Sequence, residues 1–475
     1  MEQNEVILYT LIAYGIALVG IGVWAQSRNR DNTDYFLGGR RLGPWLAALS
    51  GSASSSSAWT LLAVSGAAYS WGLSALWLFP ATLSGFLINW FLIAPRLRVL
   101  SRETGAITLA EIIAPAGFGA ARKTVLRVAA VIVLFCFIFY IASQFEGAGK
   151  AFQAHFGWPR EAAILTGVAI VLAYTFLGGF WAVSVSDMVQ GLMMVAAAVL
   201  VPAAALVALG GVGELAPRLA ATASPVELSL TGPFTGAMGV AFVLGTLGIG
   251  LGYPGQPHVV NRFMALRDEP SLRRARVIAI SWAVLVYGGM LLLGLCARVL
   301  YDIADGEQVL FEVSARVLPP FVAGIVLAAV LSAIMSTADS QLLVAASSAA
   351  HDWNAGTPGR TSRLWVSRVT VVLLCIAAAL LAIFVAEDIF TRVLFAWHAV
   401  GSAFGPLLLM RVLGYRVGAR GTLATLIAGF GLTVILHWLP HTPGDAAERL
   451  IPLVVALTIA WVAAVRETTD AMSVR

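Results

Sequence analysis

The sequence predicts an all-α integral membrane protein of about thirteen spanning helices, and three observations carry that expectation. Of 475 residues, 59% are apolar and 12% are Asp, Glu, Lys or Arg, about half the charge of an ordinary soluble domain. So few charges cannot cover a water-facing surface, which excludes a cytosolic enzyme. The mean hydropathy is +0.86. Apolar runs close to the roughly 20 residues that a bilayer requires recur along the whole chain, separated by charged clusters. The lipid bilayer is therefore the first partner implied. A net charge of +5 gives no reason to invoke nucleic acid, because in such a chain the placement of basic residues matters more than their sum.

The spans fall at 6–27, 44–71, 73–95, 125–150, 161–178, 180–209, 233–254, 277–299, 318–349, 369–386, 390–410, 420–438 and 450–465. The first follows an acidic pentapeptide with no basic stretch or small-residue cleavage site, so it reads as a retained helix and not a signal peptide. An odd number of spans puts the termini on opposite sides. With the N-terminus outside and the C-terminus cytoplasmic, 23 of the 30 basic residues fall in inner loops, among them Arg28, Arg30, Arg262, Arg360, Arg363 and Arg475. The positive-inside bias favours that orientation. Cys136, Cys296 and Cys375 all lie inside apolar runs, without disulfide or metal-ligand spacing.

Three of the 25 acids are left inside spans: Glu146, Asp187 and Asp339. Ionisable groups at bilayer depth are costly and mark ion or substrate pathways. Glu146 has Lys150 one turn on, an (i, i+4) pair that reads equally well as structural. His398 is a fourth polar residue at depth, and a lone intramembrane histidine usually serves a helix-to-helix hydrogen bond.

Two spans resist regular helix. The second holds six serines between Ser50 and Ser57, which compete for backbone hydrogen bonds. The seventh runs through Gly245, Gly248, Gly250 and Gly252 into Pro254 and Pro257. Broken backbone at depth is tolerated only where protein or a water-filled cavity satisfies it. Interrupted helices five spans apart point to an inverted-repeat secondary transporter with its site near the midplane; the alternative is a pair of small-residue packing helices. The ninth span places Ser336, Thr337 and Ser340 on one helical face with Asp339 at its border. Together with Asp187 these supply oxygen ligands and negative charge, suited to a hard monovalent cation. There is no Cys/His cluster, so a zinc or redox enzyme is not expected.

The segments 178–190 (Gly-Gly-Phe-Trp-Ala-Val-Ser-Val-Ser-Asp-Met-Val-Gln), 251–265 (Leu-Gly-Tyr-Pro-Gly-Gln-Pro-His-Val-Val-Asn-Arg-Phe-Met-Ala) and 335–348 (Met-Ser-Thr-Ala-Asp-Ser-Gln-Leu-Leu-Val-Ala-Ala-Ser-Ser) resemble the sodium:solute symporter family, its sodium/proline branch most of all. The segment 395–406 and the surroundings of Trp59 continue the likeness in order. The resemblance implies one transporter domain over 1–475: an extra helix at 6–27, five-helix repeats at 44–209 and 233–410, and two further helices at 420–465. It implies Na+ as coupling ion, held by the backbone oxygens of Ala53, Ser56 and Ala333 and the hydroxyls of Ser336 and Thr337. Asp187, Asp339 and Ser340 would form a second sodium site or a relay. A small-molecule solute would sit near Ser57, Trp59, Tyr140, Gln144, Tyr253, Gln256, Pro257, Gln341 and His398.

The chain departs from the sodium/proline pattern at Ser55, where aspartate is usual, at Ile249, where tryptophan is usual, and at Gln144 and His398, where small residues are usual; at Asp339 it has an acid where serine is usual. The resemblance therefore implies sodium coupling more directly than it implies proline. The expected function is sodium-coupled import of a small organic solute, proline or a related amino acid. The alternatives are proton coupling through the buried carboxylates, with a carboxylate or compatible solute as cargo, and a nutrient sensor. A passive channel fits the broken helices less well, and an enzyme lacks a paired nucleophile and base.

Overall fold

A computed structural model describes residues 3–26, 37–175, 180–354, 364–385 and 387–466. The expected inner-loop residues Arg28, Arg30, Arg360, Arg363 and Arg475 lie outside them. Helix α1 is Gln3–Gln26. Helix α2, Pro44–Ala58, opens with proline in its first turn, where the missing N–H costs nothing, and passes through one wide turn, Trp59–Ala63, into α3, Val64–Trp71. The expected second and third spans are not separated by a loop. Gly72 (φ 63°) turns the chain within a 3-10 segment, Gly72–Trp77, so that helical backbone runs on through α4, Leu78–Leu87, to α5, Ala94–Thr104. The turn requires glycine, since φ is positive and a side chain at 72 would begin 2.3 Å from Glu227 O.

Then come α6, Leu109–Ile113; α7, Ala121–Phe156; α8, Arg160–Thr175; α9, Phe180–Leu209; and α10, Val212–Thr222. Helix α11, Gly236–Gly248, gives way to 3-10 turns over Ile249–Gly255 and resumes as α12, Pro257–Ala265. Helix α13 is Glu269–Leu300, capped by the Asp268 carboxylate accepting from Ser271 N–H (2.8 Å). The rest are α14, Val309–Val317; α15, Pro320–Ala350; α16, Leu364–Phe384; α17, Ile389–Val412; α18, Ala419–His437; and α19, Ala446–Val462. Two short strands, β1 (Tyr415–Val417) and β2 (Ala464–Arg466), pair antiparallel.

Among the described residues, nine helical stretches are long and apolar enough to cross a membrane, and the apolar part of α1, Glu5–Ile21, together with α8 and α19, is shorter than that measure. The protein is a multi-pass membrane protein. Its centre is legible from burial: the most apolar window is 83% buried in α15 and 94% in α17, against 28% in α18. Helix α15 packs against α1, α2, α7, α9 and α16. Ser336, Thr337, Asp339, Gln341 and His398 thus sit on the two most enclosed of these helices.

Candidate functional site

The serine run in α2 ends in a break. Ser57 has φ 55° and ψ −175°, a conformation almost confined to glycine that costs about 1–3 kcal/mol in other residues. The break releases amides that side chains recover. Gln144 Oε1 accepts from Ala58 N–H (3.0 Å), and Ser57 Oγ accepts from Trp59 N–H (3.1 Å). Opposite lies α15. Thr337 Oγ1 donates to Ser54 O (3.2 Å), Ser54 Oγ and Ser340 Oγ are 2.9 Å apart, and Ser336 Oγ donates to Ala333 O (3.2 Å). Ala53, Ser56, Ala333, Ser336 and Thr337 are all buried. What faces the break is hydroxyl and carbonyl oxygen.

At the second break side chains take up three of the backbone oxygens. Trp397 Nε1 donates to Ile249 O (3.2 Å), Gln256 Nε2 to Gly252 O (3.1 Å) and Trp397 O (2.8 Å), and Asn89 Nδ2 to Tyr253 O (3.3 Å). Glycine is required where α17 crosses: a Cβ at Gly252 would lie 2.4 Å from Trp397 Nε1, and one at Gly255 2.7 Å from the Gly401 backbone. Pro257 opens α12, and Tyr253 packs edge-on to Trp397 (4.6 Å). Tyr287 joins the two breaks, its hydroxyl 3.1 Å from Tyr253 Oη and 3.4 Å from Ser56 Oγ. Sequence reasoning missed Tyr287; the one signal was a hydroxyl inside the apolar run 277–299. Tyr140 lies edge-on to His258 (5.9 Å) and Trp397 (6.3 Å). Gln341 and His398 are buried, and neither the Gln341 amide nor His398 Nε2 has a hydrogen-bond partner among the described residues.

Asp187 and Asp339 do not share partners among the described residues. Asp187 Oδ2 accepts from Ser50 Oγ (2.7 Å), Ser54 Oγ (3.2 Å) and Arg262 Nη2 (3.0 Å). Arg262 also donates to Ser50 Oγ (3.1 Å), Ser340 Oγ (2.5 Å) and His258 O (2.5 Å). The sequence reading put Arg262 in an inner loop. It is instead fully buried, because α12 folds back into the protein after the break and every residue of it is enclosed. Asp339 Oδ1 accepts from Thr175 Oγ1 of α8, and Oδ2 has no partner among the described residues.

Glu146 does not pair with Lys150. Arg160, at the start of the neighbouring α8, takes Glu146 (2.6 Å), while Lys150 bridges Asp305 (2.7 Å) and Glu307 (2.8 Å). A hairpin partner and a loop carboxylate pair outcompete the helical neighbour. These last two acids, with Asp388, line a cavity of about 370 Å³. Its aromatic wall is Trp71 and Phe390 (5.0 Å between rings), and Phe390 in turn covers Trp59 (5.6 Å). Elsewhere Trp90 packs edge-on to Phe263 (4.9 Å).

A separate cluster ties the end of α15 to α6. Asp352 is buried and accepts from Thr108 Oγ1 (2.9 Å); Glu111 accepts from Arg122 (3.3 Å), Ile107 N–H (3.0 Å) and, with a proton on Nε2, His351 (3.1 Å). Burial pushes the Asp352 carboxyl up to about 7, and the hydrogen bond to Glu111 raises His351. Burial opposes the charge on Glu111, but its donors, led by His351, outweigh burial and hold its carboxyl below the usual range.

Comparison with known proteins places the chain in a family. The family model described as the sodium:solute symporter family matches residues 35–429. A sodium/proline symporter of Haemophilus influenzae is 34% identical over 460 residues, 93% of this chain and 89% of that one. An osmoregulated proline transporter of Bacillus subtilis is 36% identical over 444 residues, 91% and 88% of the two chains. Among solved structures, a substrate-bound, outward-open Na+-coupled sialic acid symporter superposes with a TM-score of 0.79 at 18% identity, over 98% of this chain and 99% of that one. A nucleobase-cation-symport transporter in a closed conformation gives 0.56 at 15% identity, over 91% and 96%. At such identities the two structures speak for the fold.

Proposed function

The chain belongs to the sodium:solute symporter family, and from that premise we propose that it imports proline or a closely related amino acid together with Na+, by alternating access. The observation that carries the reading is the break of α2 at Ser57 directly across from the hydroxyls of α15, with Thr337 Oγ1 3.2 Å from Ser54 O. Unwound backbone beside hydroxyls is what a Na+ stripped of water requires. The second break, five expected spans on, supports paired repeats at 44–209 and 233–410.

In this reading Na+ bridges Ala53, Ser56 and Ala333 carbonyls to Ser336 and Thr337 and so holds α2 against α15. The solute lies between the breaks, near Ser57, Tyr140, Tyr253 and Gln256. Its carboxylate competes with Gln144 for the amides released at Ser57, and Trp59 and Phe390 close over it. The cavity lined by Asp305, Glu307 and Asp388 is the entrance, and the contact between Trp90 and Phe263 closes the exit. The basic loops face the cytoplasm of a bacterium. A second Na+ on Asp187 and Ser340 would have to displace Arg262, which already holds both. Solute and Na+ each tighten the other, because coupling free energy is reciprocal.

The test is uptake of radiolabelled L-proline into proteoliposomes under an imposed Na+ gradient, at equal pH on both sides. Uptake is expected to need Na+ and to be lost when choline replaces it. Uptake driven instead by a proton gradient without Na+ would reassign the coupling ion, with Asp339, which has no cation beside it among the described residues, as the first residue to examine.

A further inference from the structure

We propose that the turn Pro443–Asp445 and α19 are the seat of α11, the outer half of the second broken helix, and that Arg449 is a positioning residue for transport. The inference rests on the reading of residues 249–255 as part of the solute path. Where α11 tightens into 3-10 turns, Ile249 N–H bonds to Thr246 O and Leu247 O. The carbonyl of Gly245, which a regular helix would pair with Ile249 N–H, is thereby released. Arg449 takes it: Nη1 donates to Gly245 O (3.3 Å), and the residue is 3% exposed. The guanidinium is aimed by Asp445, which accepts from Nη2 at 2.7 Å. Asp445 itself stands at positive φ (50°), a conformation that aspartate tolerates better than most residues.

The backbone contacts agree. Helix α11 packs between α4 and the segment made of the turn Pro443–Asp445 and α19. A Cβ on Gly245 would lie 2.3 Å from Gly444 O, one on Gly248 3.0 Å from Leu450 Cδ2, and one on Gly444 2.4 Å from Phe242 O. Three positions thus lack side chains where the two segments meet. An arginine reaching the carbonyl freed by the break, through a glycine-lined contact, sets where the half-helix ends and so where Tyr253 and Gln256 begin. The C-terminal segment 443–462, which stands outside both expected repeats, in this way governs the geometry of the site.

The experiment needs no solute. Ser70 is exposed at the rim of the entrance cavity, and all three native cysteines are buried, so an impermeant maleimide on Ser70→Cys reports that cavity alone. The reading is the Na+ concentration that gives half the change in labelling rate, with choline keeping ionic strength constant. Arg449→Met is expected to raise that concentration about tenfold, the worth of one hydrogen bond from a charged donor, and Arg449→Lys to restore it to within about threefold. A merely structural role would lower the number of labelled copies and leave that concentration unchanged, and such a result overturns the proposal while the sodium reading stands. If Arg449→Met does not reach the membrane, Asp445→Asn, which leaves the arginine but frees it from its anchor, decides on the same terms. Labelling that ignores Na+ with Arg449 intact overturns the proposal and the sodium reading together.

Discussion

Ser57 holds a backbone conformation that glycine adopts freely and also supplies the acceptor for Trp59 N–H. These two roles separate by substitution. Ser57→Gly relieves the conformational cost and loses the acceptor, whereas Ser57→Ala loses the acceptor and keeps the cost. The glycine variant is expected to be more stable than the alanine variant by about 1–2 kcal/mol in thermal unfolding of the purified protein. The buried pair Asp187–Arg262 gives a second outcome of this kind. Arg262→Met strands a buried carboxylate and is expected to cost about 3–5 kcal/mol, and adding Asp187→Asn to recover most of that loss. A cycle in which the double variant is no better than Arg262→Met would mean that the arginine serves Ser50, Ser340 and His258 O more than Asp187. That Asp187 is a buried carboxylate was legible from its depth in an apolar run. Its partner was not, because Arg262 lies in a stretch dense in arginine that a hydropathy reading assigns to a loop. Only the backbone break before Pro257 turns the segment back inside.

Among the elements, glycine marks contacts rather than flexibility. Gly252→Ala and Gly255→Ala place a Cβ into Trp397 and the Gly401 backbone and are expected to lower the yield of folded protein severely. Gly15→Ala on α1 meets nothing within 4 Å and is expected to be neutral or slightly stabilising, through its better helix propensity. The end of α15 carries a pH dependence. Asp352 in the folded protein binds its proton up to about pH 7, while an unfolded aspartate releases it near 4. The folded state therefore holds more protons between those values, and this contribution to stability, present at low pH, is lost as pH rises towards 7. His351, also raised, acts in the same direction across its own titration, whereas Glu111, lowered, contributes stability that is lost as pH falls through its range. Asp352→Asn is expected to flatten the decline in melting temperature between pH 5.5 and 7.5. An unaltered slope would remove Asp352 as its source. The helices themselves were legible as runs of apolar residues. The helical joint at Gly72 was not, since the contact it makes there is with Glu227, 155 positions on in the sequence.

At the scale of the whole molecule, the scarcity of charge that predicted a membrane protein also locates its working parts. The polar side chains of the candidate site collect on α2, α9, α12, α15 and α17, and there they are buried. A ligand that binds only the folded arrangement stabilises the whole, so raising Na+ at constant ionic strength is expected to raise the melting temperature, and Thr337→Ala to shift that response to higher Na+. A response equal to that of choline would argue against a sodium site. The contact between Arg449 and Gly245 spans 204 positions of sequence. During synthesis the half-helix α11 emerges and enters the bilayer long before the residue that completes its hydrogen bonding exists. The chain must therefore shelter an unfinished break, glycine-rich and with an open carbonyl, until its last helices arrive, and nascent chains stopped before residue 449 are the ones that membrane quality control should recognise and remove.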